Sequence, residues 1–268
     1  ILAGYGFTLG GAAEGYAFYL EPDTSTLLGD AIGLLPDAAG QAFFTLSLGM
    51  GVMVTYASYL GEDRNLLSDS LLILVVDTFI ALLAGLAIFP TLFSGGGDEL
   101  VDPAEGGPGI VFIGLGEAFA ELPAGEIIGA VFYIALFMAA LTSAFSILEV
   151  IVAYVTETFD IERKPATLIV SVIIFLVGVP TALDTDVFTA YDVLANQVLL
   201  ITGGLLLAIF VGWAYTDGAV DEFTKGMGGE NAISTLWIWL LRIPIVLILL
   251  YVLYNGVLAT TEAVGALL

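Results

Sequence analysis

Six apolar runs of membrane-spanning length, near 39–60, 66–94, 124–157, 166–184, 194–215 and 233–258, leave this chain few ways to fold. A hydrocarbon layer about 30 Å thick is crossed by about 20 residues of helix. Inside it each unpaired amide or carbonyl costs several kcal/mol, so the backbone must bond to itself. An all-α integral membrane bundle of six full transmembrane helices follows. The composition agrees, with 59% hydrophobic and only 12% charged residues.

The first run is the unusual one. Phe43-Phe44-Thr45-Leu46-Ser47-Leu48-Gly49-Met50-Gly51 places two glycines where an uninterrupted helix would be expected, so a broken helix is expected over 39–60. Unwound backbone at membrane depth is tolerated only where it is buried in protein or lines a cavity. The break therefore points to a transport site, with Thr45 and Ser47 as polar donors and Phe44 and Met50 as apolar walls. A glycine kink serving helix packing is the competing reading.

Acidic residues outnumber basic ones 28 to 5, for a net charge of −23, which excludes nucleic acid as a partner. Acid-rich, lysine-poor loops stay hydrated where salt screens their mutual repulsion, so a halophilic source is expected. The chain has neither cysteine nor histidine, which removes disulfides, thiol nucleophiles, imidazole bases and most transition-metal sites. It opens at Ile1 without a basic segment or cleavage site, and is read as lacking an N-terminal part rather than as starting with a signal peptide.

Four of the five basic residues orient the spans. Arg64, Arg163, Lys164 and Lys225 lie in alternate connections, whereas the loops at about 21–38, 95–123 and 185–192 contain none. The basic loops are expected in the cytoplasm, which puts 95–123 and the C-terminus outside. Arg242, behind Trp237 and Trp239 in the last run, is expected to snorkel toward the cytoplasmic interface. Within the long outer loop, Gly109 to Phe119 is apolar but too short to span, and fits a re-entrant or lid-like helical piece.

Ionisable and hydroxyl groups at membrane depth are the functional candidates, because a carboxylate there must be paired or solvated. Asp77 stands about eleven residues into the second run, among Val75, Val76, Phe79 and Ile80, and a bound cation would be its natural partner. Ala139-Ala140-Leu141-Thr142-Ser143 offers adjacent hydroxyls beside a carbonyl one turn back. That set suits an oxygen cage for a monovalent ion, or ordinary hydroxyl-to-carbonyl bonding within the helix. Glu149 is expected to pair with a group on another helix. Asp192, at the outer start of the fifth run, fits a gate or a helix-terminal cap equally.

With these residues in place, the chain resembles the C-terminal part of the neurotransmitter:sodium symporter family. The likeness covers essentially the whole chain. It rests on Gln41 through Gly51 with Thr55-Tyr56-Ala57-Ser58-Tyr59, on Leu141-Thr142-Ser143, on Gly85 to Phe89, on Gly109 to Phe119 and on Gly203 to Trp213. It implies a partial leucine-transporter-type inverted-repeat bundle, one transporter domain over 1–268, and the alternating access of broken-helix transporters, for which this family is itself a standard case. By position, Thr45 and Asp77 would bind a first sodium ion. The Ala139 carbonyl, Thr142 and Ser143 would bind a second. Phe44, Thr45, Ser47, Met50, Ser143 and Ile147 would line the substrate pocket, and Gln41, Phe44 and Asp192 would belong to the outer gate.

Two departures shape the expectation. Asp77 stands where many relatives have asparagine, and Ala81 where chloride-dependent ones have serine, so the carboxylate can supply the charge that chloride would provide and chloride-independent transport is expected. The family's earlier helices, which supply half of each site, are not in this sequence. The resulting expectation is sodium-coupled symport of a small neutral, hydrophobic amino acid by a multi-pass protein of the cell membrane, with sodium, substrate and lipid as its partners. An ion channel or non-transporting binding protein on the same scaffold is the alternative. An enzyme is not expected, since no second intramembrane carboxylate is spaced to form a dyad with Asp77.

Overall fold

The apolar runs fold as helices, and five of them are continuous enough to cross a membrane: Leu66–Ser94, Gly125–Phe159, Arg163–Leu183, Thr185–Ala214 and Ala232–Gly265. The computed structural model describes residues 2–21, 24–61, 64–103, 107–225 and 232–265. In chain order the helices are α1 (Leu2–Gly6), α2 (Ala12–Leu20), α3 (Thr24–Gly29), α4 (Leu35–Thr45), α5 (Val52–Ala57) and α6 (Leu66–Ser94). They continue as α7 (Leu115–Glu121), α8 (Gly125–Phe159), α9 (Arg163–Leu183), α10 (Thr185–Val193), α11 (Leu200–Ile209), α12 (Thr216–Thr224), α13 (Ala232–Leu240) and α14 (Val246–Gly265). The first apolar run, 39–60, is the exception, split into α4 and α5 across residues 46–51.

The chain divides into two compact units, Ile1–Leu28 with Val75–Ser143 and Gly29–Leu74 with Ala144–Leu268. In the first unit a wide helical turn at Ile110–Gly114 leads into α7. The expectation of a helical piece within 95–123 is met. It is held by a core of Leu92, Ile110, Leu115 and Phe119, against which Phe132 and Tyr133 of α8 pack. The Tyr133 hydroxyl donates to the Val111 carbonyl at 2.8 Å. That bond satisfies a group that the turn would otherwise leave bare.

In the second unit α11 and α14 form the core through Ile201, Leu205, Ala208, Leu249 and Val252, with Ala39 and Phe43 of α4 packed against it. Two wide turns, Leu194–Leu199 and Phe210–Ala214, interrupt the α10–α11 span, and a third at Leu241–Ile245 joins α13 to α14. The third has a local cause, since Pro244 donates no amide and its ring displaces the carbonyl one turn back.

The structure corrects the loop expected over 185–192. Those residues are α10, which follows α9 with only Asp184 between. Asp184 is extended and its carboxylate accepts from the amides of Asp186 and Val187, at 2.8 and 3.2 Å. The cap that starts this span is therefore Asp184 and not Asp192. Asp192 is the penultimate residue of α10 and accepts from Asn196 Nδ2 at 2.8 Å. Of the loop expected over 21–38, residues 22 and 23 lie outside the described residues, and residues from 35 onward belong to α4.

Candidate functional site

The break between α4 and α5 is built by alternation. Ser47, Gly49 and Gly51 have φ of 53°, 78° and 83°, with the intervening residues outside that region. A left-handed residue turns the chain out of the helix. For glycine this carries no Cβ clash, whereas for Ser47 it costs about 1–2 kcal/mol. The α4 end closes through Leu48 N to Phe43 O at 2.8 Å and Ser47 N to Phe44 O at 3.1 Å. Gly51 then opens α5 by accepting from Thr55 N at 2.9 Å.

The break is pressed onto the backbone of α11. A Cβ on Gly49 would lie 2.1 Å from the Leu200 carbonyl, and one on Gly203 would lie 2.1 Å from the Gly49 carbonyl. Both distances are far inside contact, so the crossing exists only because both residues lack a side chain.

The two half-helices are anchored to different partners. α4 is held by apolar packing on α11 and α14. α5 is stitched to α8 by hydroxyls: Tyr56 donates to Ser146 Oγ at 2.5 Å, and Tyr59 donates to Glu149 Oε1 at 2.9 Å. Tyr56 and Tyr59, like Ser146 and Glu149, are three residues apart, with Tyr59 two residues past the end of α5, so the two segments run in the same direction. Glu149 also accepts from Arg163 Nη2 at the start of α9, which supplies the partner expected for it. The Glu149 side chain is 18% exposed and that of Arg163 66%. Glu149→Gln removes the charge that holds both donors, and is expected to lower unfolding stability by about 1–2 kcal/mol, toward the low end because Arg163 stays hydrated. Tyr59→Phe is expected to cost less, about 1 kcal/mol, and chemical unfolding in detergent ranks the two.

Beside the break lies a cavity of about 670 Å³, bounded by Gly49, Gly51, Thr55, Ser58, Tyr59, Glu157 and the α11 residues Gly203 and Leu206. None of the six expected substrate residues lines it. Glu157, two helical turns beyond Glu149, was not singled out from the sequence. Its signal was spacing on α8, legible only once Glu149 is known to face α5.

The expected site residues fall as follows. Gln41, Phe44 and Thr45 are on α4, Ser47 and Met50 are in the break, and Ile147 and Asp192 are on α8 and α10, all within the second unit. Phe44 is 54% exposed, and Ser47 and Met50 are half-buried. Asp77, Ala139, Thr142 and Ser143 belong to the first unit. Between Ser70 and Ala84 every residue is exposed except Asp77, which is half-buried. Thr142 Oγ1 donates to the Ala139 carbonyl at 2.8 Å. A hydroxyl in a membrane helix ordinarily makes this bond, and here it also sets two of the expected sodium ligands side by side. Neutral oxygens of that kind suit a hard monovalent cation. Arg242, expected to snorkel, is tied to protein at the end of the Thr185–Ala214 span: its Nε donates to the Gly212 carbonyl at 2.5 Å and its Nη2 to Thr216 Oγ1 at 3.2 Å.

Residues 1–263 match the profile described as the Sodium:neurotransmitter symporter family. The uncharacterized sodium-dependent transporter YhdH of Bacillus subtilis is 36% identical over 266 residues, a match covering 94% of this chain and 57% of that protein. An uncharacterized sodium-dependent transporter of Methanocaldococcus jannaschii is 31% identical over 90% of this chain and 50% of its own length. The sodium- and chloride-dependent GABA transporter ine of Drosophila melanogaster is 29% identical over 92% of this chain and 27% of that protein. Among solved structures, MhsT in complex with L-phenylalanine superposes with a TM-score of 0.82 at 39% identity, covering 95% of this chain and 58% of that one. The chain spans about half the length of the curated bacterial and archaeal relatives it matches. With residues 1–263 matched and the leucine-transporter-type fold shared, the protein belongs to the sodium:neurotransmitter symporter family.

Proposed function

We propose that this chain is the larger part of a single sodium-coupled symporter domain that carries a small neutral, hydrophobic amino acid by alternating access and does not need chloride. The observation that carries this reading is the broken helix whose halves are held by different neighbours. α4 rides on the α11–α14 core, while α5 is tied to α8 by Tyr56 and Tyr59. A helix interrupted by Ser47, Gly49 and Gly51 can change the angle between its halves without breaking a helical bond. Such an interruption also presents half-helix ends to an ion or a zwitterion.

The site assignments follow the family resemblance. Asp77 and Thr45 serve a first sodium ion, and the Ala139 carbonyl with Thr142 and Ser143 a second. Phe44, Thr45, Ser47, Met50, Ser143 and Ile147 line the substrate pocket. Phe44, Gln41 and Asp192 close it on the outside, with the C-terminus on that same side. Sodium and the amino acid are both cargo, and coupling requires only that each stabilise the same occluded state. The relatives named sodium-dependent transporters, and MhsT with its bound L-phenylalanine, support the ion and the substrate class.

The test is uptake of radiolabelled neutral amino acids, L-phenylalanine among them, into proteoliposomes bearing the full-length protein. An inward sodium gradient should drive accumulation above equilibrium, and replacing chloride with gluconate should leave the rate unchanged. Uptake that only equilibrates would indicate conduction on the same scaffold. Uptake that collapses in gluconate would overturn chloride independence while leaving symport standing.

A further inference from the structure

Arg242 is a fixed cation with no counter-charge. In a chain carrying 28 carboxylates, Arg64, Arg163 and Lys225 each hold one, at Asp69, Glu149 and Glu222, while Lys164 holds none among the described residues but is exposed to solvent. Arg242 has no carboxylate within ion-pairing distance among the described residues, and its two bonds go to the neutral oxygens of Gly212 and Thr216. A guanidinium has five N–H groups, so three are left to donate. The two anchors of Arg242, Gly212 and Thr216, flank the end of the Thr185–Ala214 span, which puts the guanidinium near the membrane surface, where a headgroup can neutralise it.

The head group is also not free to seek water. Its two anchors hold it at the wall of a cavity of about 580 Å³ at the meeting of α12, α13 and the two wide turns at Phe210–Ala214 and Leu241–Ile245. Trp213 and Trp239, 52% and 53% exposed, both line this cavity, while the third tryptophan, Trp237, is occupied by stacking on Phe223 at 4.5 Å. Exposed tryptophans of this kind collect at the level of lipid headgroups. Asp217, in the first turn of α12, lines the same cavity without a hydrogen-bond or ion-pair partner among the described residues. The cavity thus presents a donor-rich cation, a separate anion and two tryptophans, with Val220, Ile238 and Ile243 among its apolar lining.

We propose that this cavity binds the headgroup of an aminophospholipid. The Arg242 guanidinium takes the phosphodiester, the Asp217 carboxylate takes the ammonium, and Trp213 and Trp239 flank the glycerol region. The pairing explains why an unpaired arginine persists in so acidic a protein, since the lipid supplies the missing anion without adding net charge. A lipid bearing only negative charge would meet Asp217 as a repulsion.

Native mass spectrometry of the full-length protein in detergent, titrated separately with phosphatidylethanolamine, phosphatidylglycerol, diacylglycerol and inorganic phosphate, tests this. Phosphatidylethanolamine should bind in preference to the other three. Arg242→Gln should weaken it by about tenfold, the scale of one lost charge-assisted interaction. Asp217→Asn, at an exposed position, should erase the preference over phosphatidylglycerol, and it keeps the test decisive if the arginine variant does not fold. Equal binding by Arg242→Gln, an undisturbed preference in Asp217→Asn, or saturation by inorganic phosphate alone would each overturn the proposal.

Discussion

Gly49→Ala is expected to be strongly damaging, because it combines conformational strain with a clash against backbone. Its φ of 78° costs an alanine about 1–2 kcal/mol. The added Cβ would meet the Leu200 carbonyl oxygen at 2.1 Å, and a backbone oxygen cannot rotate away as a side chain can. Forcing the α4–α5 break off α11 adds an overpacking cost of about 1–3 kcal/mol, so a total loss of about 2–5 kcal/mol is expected. Gly203→Ala attacks the same crossing from the other side, with its Cβ 2.1 Å from the Gly49 carbonyl, and should lose the steric part without the conformational one. Gly51→Ala is the internal control. Its φ is 83°, but the nearest atom is the tip of Val150 at 3.2 Å, so about 1–2 kcal/mol of conformational strain is all it should lose. Because Gly49 and Gly203 share one contact, their double variant should cost less than the sum of the two. Chemical unfolding in detergent measures all four. A Gly51→Ala as damaging as Gly49→Ala would show that conformation, and not the α11 crossing, fixes the break.

With Asp77 serving the first sodium ion as proposed, Asp77→Ala in the full-length protein should have the largest functional effect, the loss of sodium-driven uptake. A carboxylate about 4 Å from a monovalent ion contributes about 4 kcal/mol at an effective dielectric near 20. At 1.4 kcal/mol per tenfold, its removal weakens sodium binding by nearly three orders of magnitude. Asp77→Asn separates charge from ligation, since it keeps an oxygen and removes only the negative charge. It should retain some uptake at high sodium, with the half-saturating sodium concentration raised and the substrate specificity unchanged. Sodium titration of uptake in proteoliposomes distinguishes these outcomes. If Asp77→Ala transports with unaltered sodium dependence, the residue serves the fold and not the ion. Asp77 is the only residue between Ser70 and Ala84 that is not exposed, so a folded variant must be demonstrated first.

How much of this was legible in the sequence depends on how far apart the interacting residues lie. The five continuous spans and the broken one were readable because hydropathy over about twenty residues is a local property, and because glycines at 49 and 51 mark where a helix cannot continue unchanged. The start of the α10 span was misjudged. Residues 185–192 are polar enough to resemble a loop, and the signal that they are helical is the side chain of Asp184 closing on the amides of Asp186 and Val187. That correction moved the cap away from Asp192 and gave Asp192 a partner of its own in Asn196.

The contacts that anchor the break were not legible. Tyr56 to Ser146 and Tyr59 to Glu149 each join residues 90 positions apart, and Arg242 reaches Gly212 across 30. Membrane helices that are apolar on all sides carry no stripe that says which face turns inward. The sequence by itself therefore determined that the chain crosses a membrane, where its helices run and which one is interrupted, because burial in lipid imposes length and composition on each segment separately. Only the tertiary structure decided which half of the broken helix is held by apolar packing and which by tyrosine hydroxyls, and that Arg242 has no counter-charge among the described residues. Those facts depend on the rotation and register of one helix against another, which packing sets and hydropathy does not encode.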